Sequence, residues 1–130
     1  MPLSDLAAAL AAATGPDRAL DVMLAGLVFY RQPLTGGWSG IDEPWAAEDI
    51  AVALEGEHTI KVPAYTSDLN AITGAIEQRW PIVKWSVTSF GEANVGTQQH
   101  FGYVVGGHMG RSALALCLAA VRLALAEEGK

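Results

Sequence analysis

The residues that could do chemistry lie closest together in the stretch "GGHMGR", where His108 and Arg111 precede a long apolar segment. A helix N-terminus attracts anions because its first backbone N–H groups are unpaired, and an arginine adds positive charge there. With Tyr103 just upstream, these residues form a candidate ligand or anion site. The glycines have a competing explanation, since a strand-to-helix turn needs backbone angles that glycine adopts easily. We favour the turn and keep the anion binder, or a small enzyme, as the alternative.

Other motifs for catalysis, cofactors or metals are missing. The sequence contains no Walker Lys-Ser/Thr pair, no G-x-G-x-x-G and no G-x-S-x-G. His58, His100 and His108 stand on separate segments without metal-ligand spacing. A cluster of acidic residues fits no calcium loop and is better explained as complementing a helix dipole: Asp42, Glu43, Glu48 and Asp49. We predict no metal and no cofactor, and we favour a non-enzymatic role.

Two of the four tryptophans are candidate partner-binding residues. Trp38 and Trp45 lie in a segment rich in Gly and Pro, and an exposed loop tryptophan is a favoured interface anchor. The alternative is that both cover the edge of a sheet. Trp80 and Trp85 fall on core-facing positions of periodic segments and are predicted to be core.

Composition limits the class of protein. A chain of 130 residues with 51% hydrophobic and 17% charged residues suits one globular domain over 1–130. The net charge of −6 disfavours nucleic-acid binding, although an acidic mimic of DNA remains a weaker alternative. The single cysteine, Cys117, lies in an apolar helical pattern and is predicted to be buried. The last apolar stretch is too short to span a bilayer comfortably, so we predict a cytoplasmic protein that does not bind membranes.

Periodicity predicts an α+β fold. Helices are expected within residues 4–30, and residues 31–64 are expected to be irregular, with a short helix over 44–54 and a short strand at "HTIKV". The predicted core over 65–128 has α-β-β-α order: a helix capped by Thr66 or Ser67, the strands "IVKWSVTSF" and "QQHFGYVVGG" joined by the turn "GEANVGT", and a helix from Ser112 to Glu128. We expect a small antiparallel sheet sandwiched between helices in α/β/α layers.

The predicted last helix is apolar nearly all round, which indicates burial on several sides. Either the N-terminal helices cover it or a second copy of the chain does. Self-association through this helix is therefore a further prediction.

Several segments resemble the phage ABA sandwich domain family. They are "VPAYTSDLNAITGAI", the following "WSV" strand, "RSALALCLAAVRLAL" and, near the start, "PDRALD". The resemblance covers about two-thirds of the chain and is weakest between Arg31 and Lys61. Where the family has "PTPALALC" at the entry to its last helix, this chain has "GRSALALC". The family has no assigned activity and supplies no catalytic residues; the resemblance implies the fold and a phage or prophage origin. Together with the missing motifs, it leads us to expect an accessory protein that binds a host or phage protein.

Overall fold

Four α-helices and six β-strands make up the described part of the chain, which in this computed structural model covers residues 3–15, 17–29, 34–35, 51–54, 59–61, 64–88, 90–104, 108 and 111–128. Their order is α1 (Leu3–Ala12), α2 (Arg18–Leu24), a π-helical turn (Ala25–Phe29), β1 (Leu34–Thr35), β2 (Ala51–Leu54), β3 (Thr59–Lys61), α3 (Leu69–Arg79), β4 (Lys84–Val87), β5 (Ala93–Gly96), β6 (Phe101–Val104) and α4 (Ser112–Glu128). The strands form two three-stranded antiparallel sheets, β1-β2-β3 and β4-β5-β6. The predicted α+β class with a small antiparallel sheet is confirmed.

The last helix, α4, forms the centre of the hydrophobic core. It has the predicted bounds, and every side chain from Ala113 to Val121 is buried, including Cys117. α1 and α3 pack against it, and the sheet β4-β5-β6 covers a further side. The helix is apolar all round because parts of the same chain surround it. The feature that suggested self-association is thus explained within one chain, and self-association itself stays a prediction.

Within the described residues, helices cover one face of the sheet β4-β5-β6. In β6, Gly102 and Val104 are buried, whereas Phe101 and Tyr103 are exposed. α4 contacts all three strands on the buried side. The sheet therefore has α4 on one face, and α1 and α3 pack against α4. Strands of an antiparallel sheet alternate their side chains, so one face can be apolar while the other meets solvent.

The contact between β6 and α4 is made backbone to backbone at Gly102. A Cβ atom built on this glycine would lie 2.0 Å from the carbonyl oxygen of Ala119 and 2.6 Å from the backbone nitrogen of Leu123. No other residue type fits here without moving the helix. Gly102 therefore decides which face of β6 can turn towards α4.

Two segments form strands where the sequence patterns predict other structures. Ala51–Leu54, predicted as the end of a helix, is β2 and pairs with strands on both sides; residues 44–50 of that predicted helix lie outside the described residues. Part of "GEANVGT", predicted as a turn, is β5, the central strand of its sheet. The C-terminal order is therefore helix, three strands, helix. Ladder hydrogen bonds on both sides outweigh the weak strand propensity of Ala, Asn and Gly. The strand predicted at "HTIKV" is present as β3.

The reversal between β4 and β5 is shorter than predicted. The N–H of Thr88 donates to the carbonyl of Glu92 at 2.9 Å, and the N–H of Gly91 donates to the carbonyl of Thr88 at 3.1 Å. Gly91 has a φ of 84°, in the region that glycine adopts without steric cost.

The cap of α3 is Asp68, whereas the sequence predicts Thr66 or Ser67. The carboxylate of Asp68 accepts a hydrogen bond from the N–H of Asn70 at 2.9 Å. The apolar face of this helix is as predicted, since Ile72 and Ile76 are buried.

Thr66 forms tertiary hydrogen bonds to the start of α2. Its N–H and its hydroxyl both donate to Oδ1 of Asp21, each at 2.8 Å, and its Oγ1 accepts from the N–H of Asp17 at 2.9 Å. Asp21 is fully buried, although the sequence pattern places it on the polar side of its helix. Charge-assisted bonds of this kind stabilise a carboxylate that has lost its water.

Candidate binding surface

The sheet β4-β5-β6 presents one face to solvent, which we call the outer face. Strand alternation and register assign its members, two from each strand: Lys84, Ser86, Asn94, Gly96, Phe101 and Tyr103. They form two rows across the sheet, Lys84–Gly96–Phe101 and Ser86–Asn94–Tyr103. The residues between them point towards α4. Trp85, on that inner side, is half-buried, and Trp80 at the end of α3 is buried as predicted.

Large apolar side chains are unusually exposed at this face. Phe101 is 68% exposed, Tyr103 is 53% exposed, and Ile82, just before β4, is 78% exposed. Aromatic side chains bury much area on contact, so single proteins usually bury them or use them in binding. The outer face is therefore the described surface best suited to a partner.

The ring of Phe101 lies over Gly96 of the neighbouring strand. A Cβ atom at Gly96 would lie 2.7 Å from Cδ1 and 3.1 Å from Cε1 of that ring. The two residues are directly opposite in the ladder. The N–H of Thr97 donates to the carbonyl of His100 at 2.9 Å, so by alternation Gly96 and Phe101 form a non-hydrogen-bonded pair, in which side chains approach most closely. The glycine thus lets the ring lie flat on the sheet.

A groove of about 410 Å³ extends beside this ring. Its lining combines apolar walls with polar ends: Ile82, Lys84, Asn94, Gly96, Thr97, Gln98 and Phe101. The side-chain oxygen Oδ1 of Asn94 is buried and has no hydrogen-bond partner within the described part of the chain. An unpaired buried acceptor costs about 1–3 kcal/mol. Because this atom is covered, it marks a local cost and is not a contact point for a bound group.

The free edge of β6 is partly closed. Because Phe101 and Tyr103 are in non-hydrogen-bonded pairs, their backbone groups point away from β5. The side chain of Arg122 on α4 donates from Nη1 to the carbonyl of Tyr103 at 2.7 Å. A charged side chain on an edge strand hinders the addition of another strand. Contact across the outer face is therefore easier than pairing along the edge.

A second cleft, of about 380 Å³, lies on the other side of Ile82, between the ends of α3 and α4. Its polar groups bind one another: Glu127 Oε1 accepts from Trp80 Nε1 at 3.1 Å and from Arg79 Nη2 at 3.4 Å. Arg79 also donates from Nε to the carbonyl of Val28 at 3.0 Å, and its guanidinium lies 4.7 Å from the centre of the Trp80 ring. These contacts hold the ends of α3 and α4 together, so we assign this cluster a role in stabilising the fold.

The predicted ligand residues separate into two places. His108 and Arg111 are close together, since the N–H of Arg111 donates to the carbonyl of His108 at 2.8 Å. Tyr103 lies on the outer face, away from α4. The structure therefore joins His108 to Arg111 but not to Tyr103, and anion binding at this helix start stays a prediction.

His108 itself is 1% exposed, and neither ring nitrogen has a hydrogen-bond partner among the described residues. Burial lowers the pKa of His108 from its ordinary value; the nearby backbone of Leu10 opposes this in part, and the positive charge of Arg111 adds to it. Burial therefore favours the neutral imidazole, and the side chain of His108 is shielded from solvent.

The remaining candidates give no site in the described structure. Trp38, Trp45 and the acidic cluster over 42–49 lie outside the described residues. Within the part of the chain that is described, no group of three or more His, Cys, Asp or Glu side chains is placed to hold a metal. The described helices include none that is long and apolar enough to cross a membrane. Cys117 is fully buried, and burial raises the pKa of its thiol well above the ordinary value, with the charge of Asp21 adding to the shift.

No protein-family model matches the chain, and no curated protein and no solved structure is similar enough to match it. The resemblance to phage ABA sandwich domains therefore stays a prediction. Any function has to be argued from the surface itself.

Sequence reasoning named Tyr103 but missed the other residues of the outer face. The sequence places Phe101 and Tyr103 on one side of the strand and Gly102 on the other, but it does not say which side faces solvent. A usable signal was present: a glycine between two aromatics in a strand marks close approach of backbone on the glycine side. The aromatics then have to face the other way.

Proposed function

We propose that this protein is a non-enzymatic protein-binding module that contacts its partner through the outer face. The observation that carries the proposal is the exposure of Phe101, Tyr103 and Ile82 beside a groove. Aromatic anchors in a desolvated centre dominate the energy of protein interfaces. The setting we propose is that of a phage or prophage accessory protein in the host cytoplasm, as the resemblance implies.

The rigid support of this face favours binding over chemistry. The inner side of the sheet is packed on α4, and the ring of Phe101 rests on Gly96. Anchors that are already held in place lose little conformational entropy when they bind. Trp38 and Trp45 stay the predicted second pair of anchors, to be replaced by alanine in a separate variant.

Site-specific photo-crosslinking tests the proposal. A benzophenone amino acid is placed at Phe101 in one variant and at Leu69 in a control variant, and both are irradiated in cells of the natural source. Leu69 is 40% exposed but lies on α3. We expect a discrete protein adduct from position 101 and none of that mass from position 69.

Two results would contradict the proposal. One is the absence of any adduct at position 101 while the variant melts at the same temperature as the wild type. The other is the same set of adducts from both positions, which would indicate non-specific contact with abundant proteins.

A further inference from the structure

The outer face carries positive charge in an acidic protein. Among its six members Lys84 is charged and no residue is acidic, although the whole chain carries a net charge of −6. Lys84 lies on the outer face and lines the groove, and Arg122 closes the edge of β6. The charged side chain on the outer face and the one at its β6 edge are thus both cationic.

Within the described ranges, these two cations have no acidic partner. Among the described residues, neither Lys84 nor Arg122 forms an ion pair, and Arg122 contacts only a neutral carbonyl. Exposed cations of this kind attract an oppositely charged chain and speed its association. A partner with carboxylates would therefore complement this face better than a basic or neutral one.

We propose that the occupant of the outer face is an acidic protein segment that inserts one large apolar side chain into the groove. The inference rests on the proposed function. The apolar side chain lies between Ile82 and Phe101, and the carboxylates face Lys84 and Arg122. The groove volume of about 410 Å³ lies within the range of about 300–1,000 Å³ typical of ligand pockets.

Single-stranded nucleic acid is the main rival for such a face. Bases stack on exposed aromatics, and lysines neutralise phosphates. Two cations give a weak electrostatic contribution, however, and the rest of the chain repels a polyanion of high charge density. A protein segment with a few carboxylates needs only local complementarity, so it is the occupant that the charges favour.

Peptide selection with the full-length protein tests the inference. A random library of 12-residue peptides on filamentous phage is panned against the immobilised protein. The enriched sequences are synthesised with a fluorescent label, and their affinity is measured by fluorescence anisotropy. We expect enriched peptides with net negative charge and at least one large apolar residue.

Matched variants locate the binding. Lys84→Glu and Phe101→Ser are each expected to weaken binding of the selected peptide at least tenfold, which is about 1.4 kcal/mol. Asn70→Asp adds negative charge at another exposed position, on α3, and Leu69→Ser removes an exposed apolar side chain from the same helix. Both controls are expected to bind within twofold of the wild type. All four positions are exposed, so the variants should retain the wild-type circular dichroism spectrum.

Four outcomes would overturn the inference. If the enriched peptides require Phe101 but are neutral or basic, the acidic partner is wrong while the proposed function stands. If no peptide requires Phe101, the inference fails, and the crosslinking at position 101 decides the function separately. Tight binding of a labelled dT12 oligonucleotide that Lys84→Glu abolishes would assign the face to nucleic acid. A dimer in sedimentation experiments that Phe101→Ser dissolves would assign it to a second copy of the chain.

Discussion

Replacing Gly102 with alanine should separate β6 from α4. The added methyl group would lie 2.0 Å from the carbonyl oxygen of Ala119 and 2.6 Å from the backbone nitrogen of Leu123. Both neighbours are backbone atoms of a buried helix, so no side chain can rotate away. The contact has to open by about 1.4 Å before the methyl group reaches an ordinary separation from the carbonyl oxygen.

The size of the effect follows from where the contact lies. Overpacking a well-packed core costs about 1–3 kcal/mol and occasionally more. Because the strain acts on α4, which is buried from Ala113 to Val121, we expect Gly102→Ala to lose at least about 3 kcal/mol of unfolding free energy. For a domain of this size, that loss lowers the melting temperature by roughly 10 °C.

Gly74→Ala is the matched control. Gly74 lies within α3, and a Cβ atom there would meet no heavy atom within 4 Å. Alanine at an exposed helix position is more stable than glycine by about 0.5–1 kcal/mol. The same substitution should therefore lower the free energy of unfolding at Gly102 and raise it at Gly74.

Urea unfolding followed by far-ultraviolet circular dichroism measures both free energies. If Gly102→Ala unfolds within 0.5 kcal/mol of the wild type, the backbone contact between β6 and α4 is not as close as described. The assignment of the aromatics to the outer face would then lose its main support.

Three further predictions concern buried polar groups. Thr66→Val removes the hydroxyl that binds Asp21 at 2.8 Å and should cost about 2–3 kcal/mol, whereas Thr66→Ser should retain most of the stability; equal losses in urea unfolding would disprove the hydrogen-bond explanation. The pKa of His108 is lower in the folded state than its ordinary value of 6.5. Below pH 6.5 the unfolded chain therefore gains a proton that the folded chain lacks, and the free energy of unfolding falls as the pH drops. His108→Leu should flatten the stability curve between pH 7.5 and pH 5, and an unchanged curve would contradict this. The pH dependence that comes from Cys117 has the opposite sign, because the pKa of its thiol is raised: the free energy of unfolding should decline as the pH rises above 9.0. A disulfide reagent at pH 8 should modify Cys117 only as fast as the protein unfolds. Rapid modification of the folded protein would show that the thiol is accessible.

Local sequence patterns were sufficient to predict the two helices of the C-terminal half, α3 and α4. The bounds of α4, Ser112 and Glu128, follow from its apolar run and the glycines before it. The buried face of α3 follows from apolar residues spaced at helical periods. The alternation around β4 is likewise local, since Val83 and Trp85 are more buried than Lys84 between them.

Predictions from local sequence patterns were wrong where tertiary contacts compete with the local preference of a residue. Thr66 is a good helix cap by type, but a buried carboxylate from α2 competes for its hydroxyl and N–H. "GEANVGT" has turn-like composition, but strands on both sides supply hydrogen bonds that its own propensity cannot predict. In the first sheet, the pairing of β1 with β2 likewise joins segments that are well separated along the chain.

The sequence by itself determined the α+β class, the last helix and the absence of recognisable catalytic motifs, because each depends on residue types at short spacing. Only the tertiary structure decided which side of β6 faces solvent. That choice depends on α4, which touches Gly102 backbone to backbone and leaves Phe101 and Tyr103 no place on the inner side. The exposed outer face exists because a helix several residues further along the chain packs on the opposite face of the sheet.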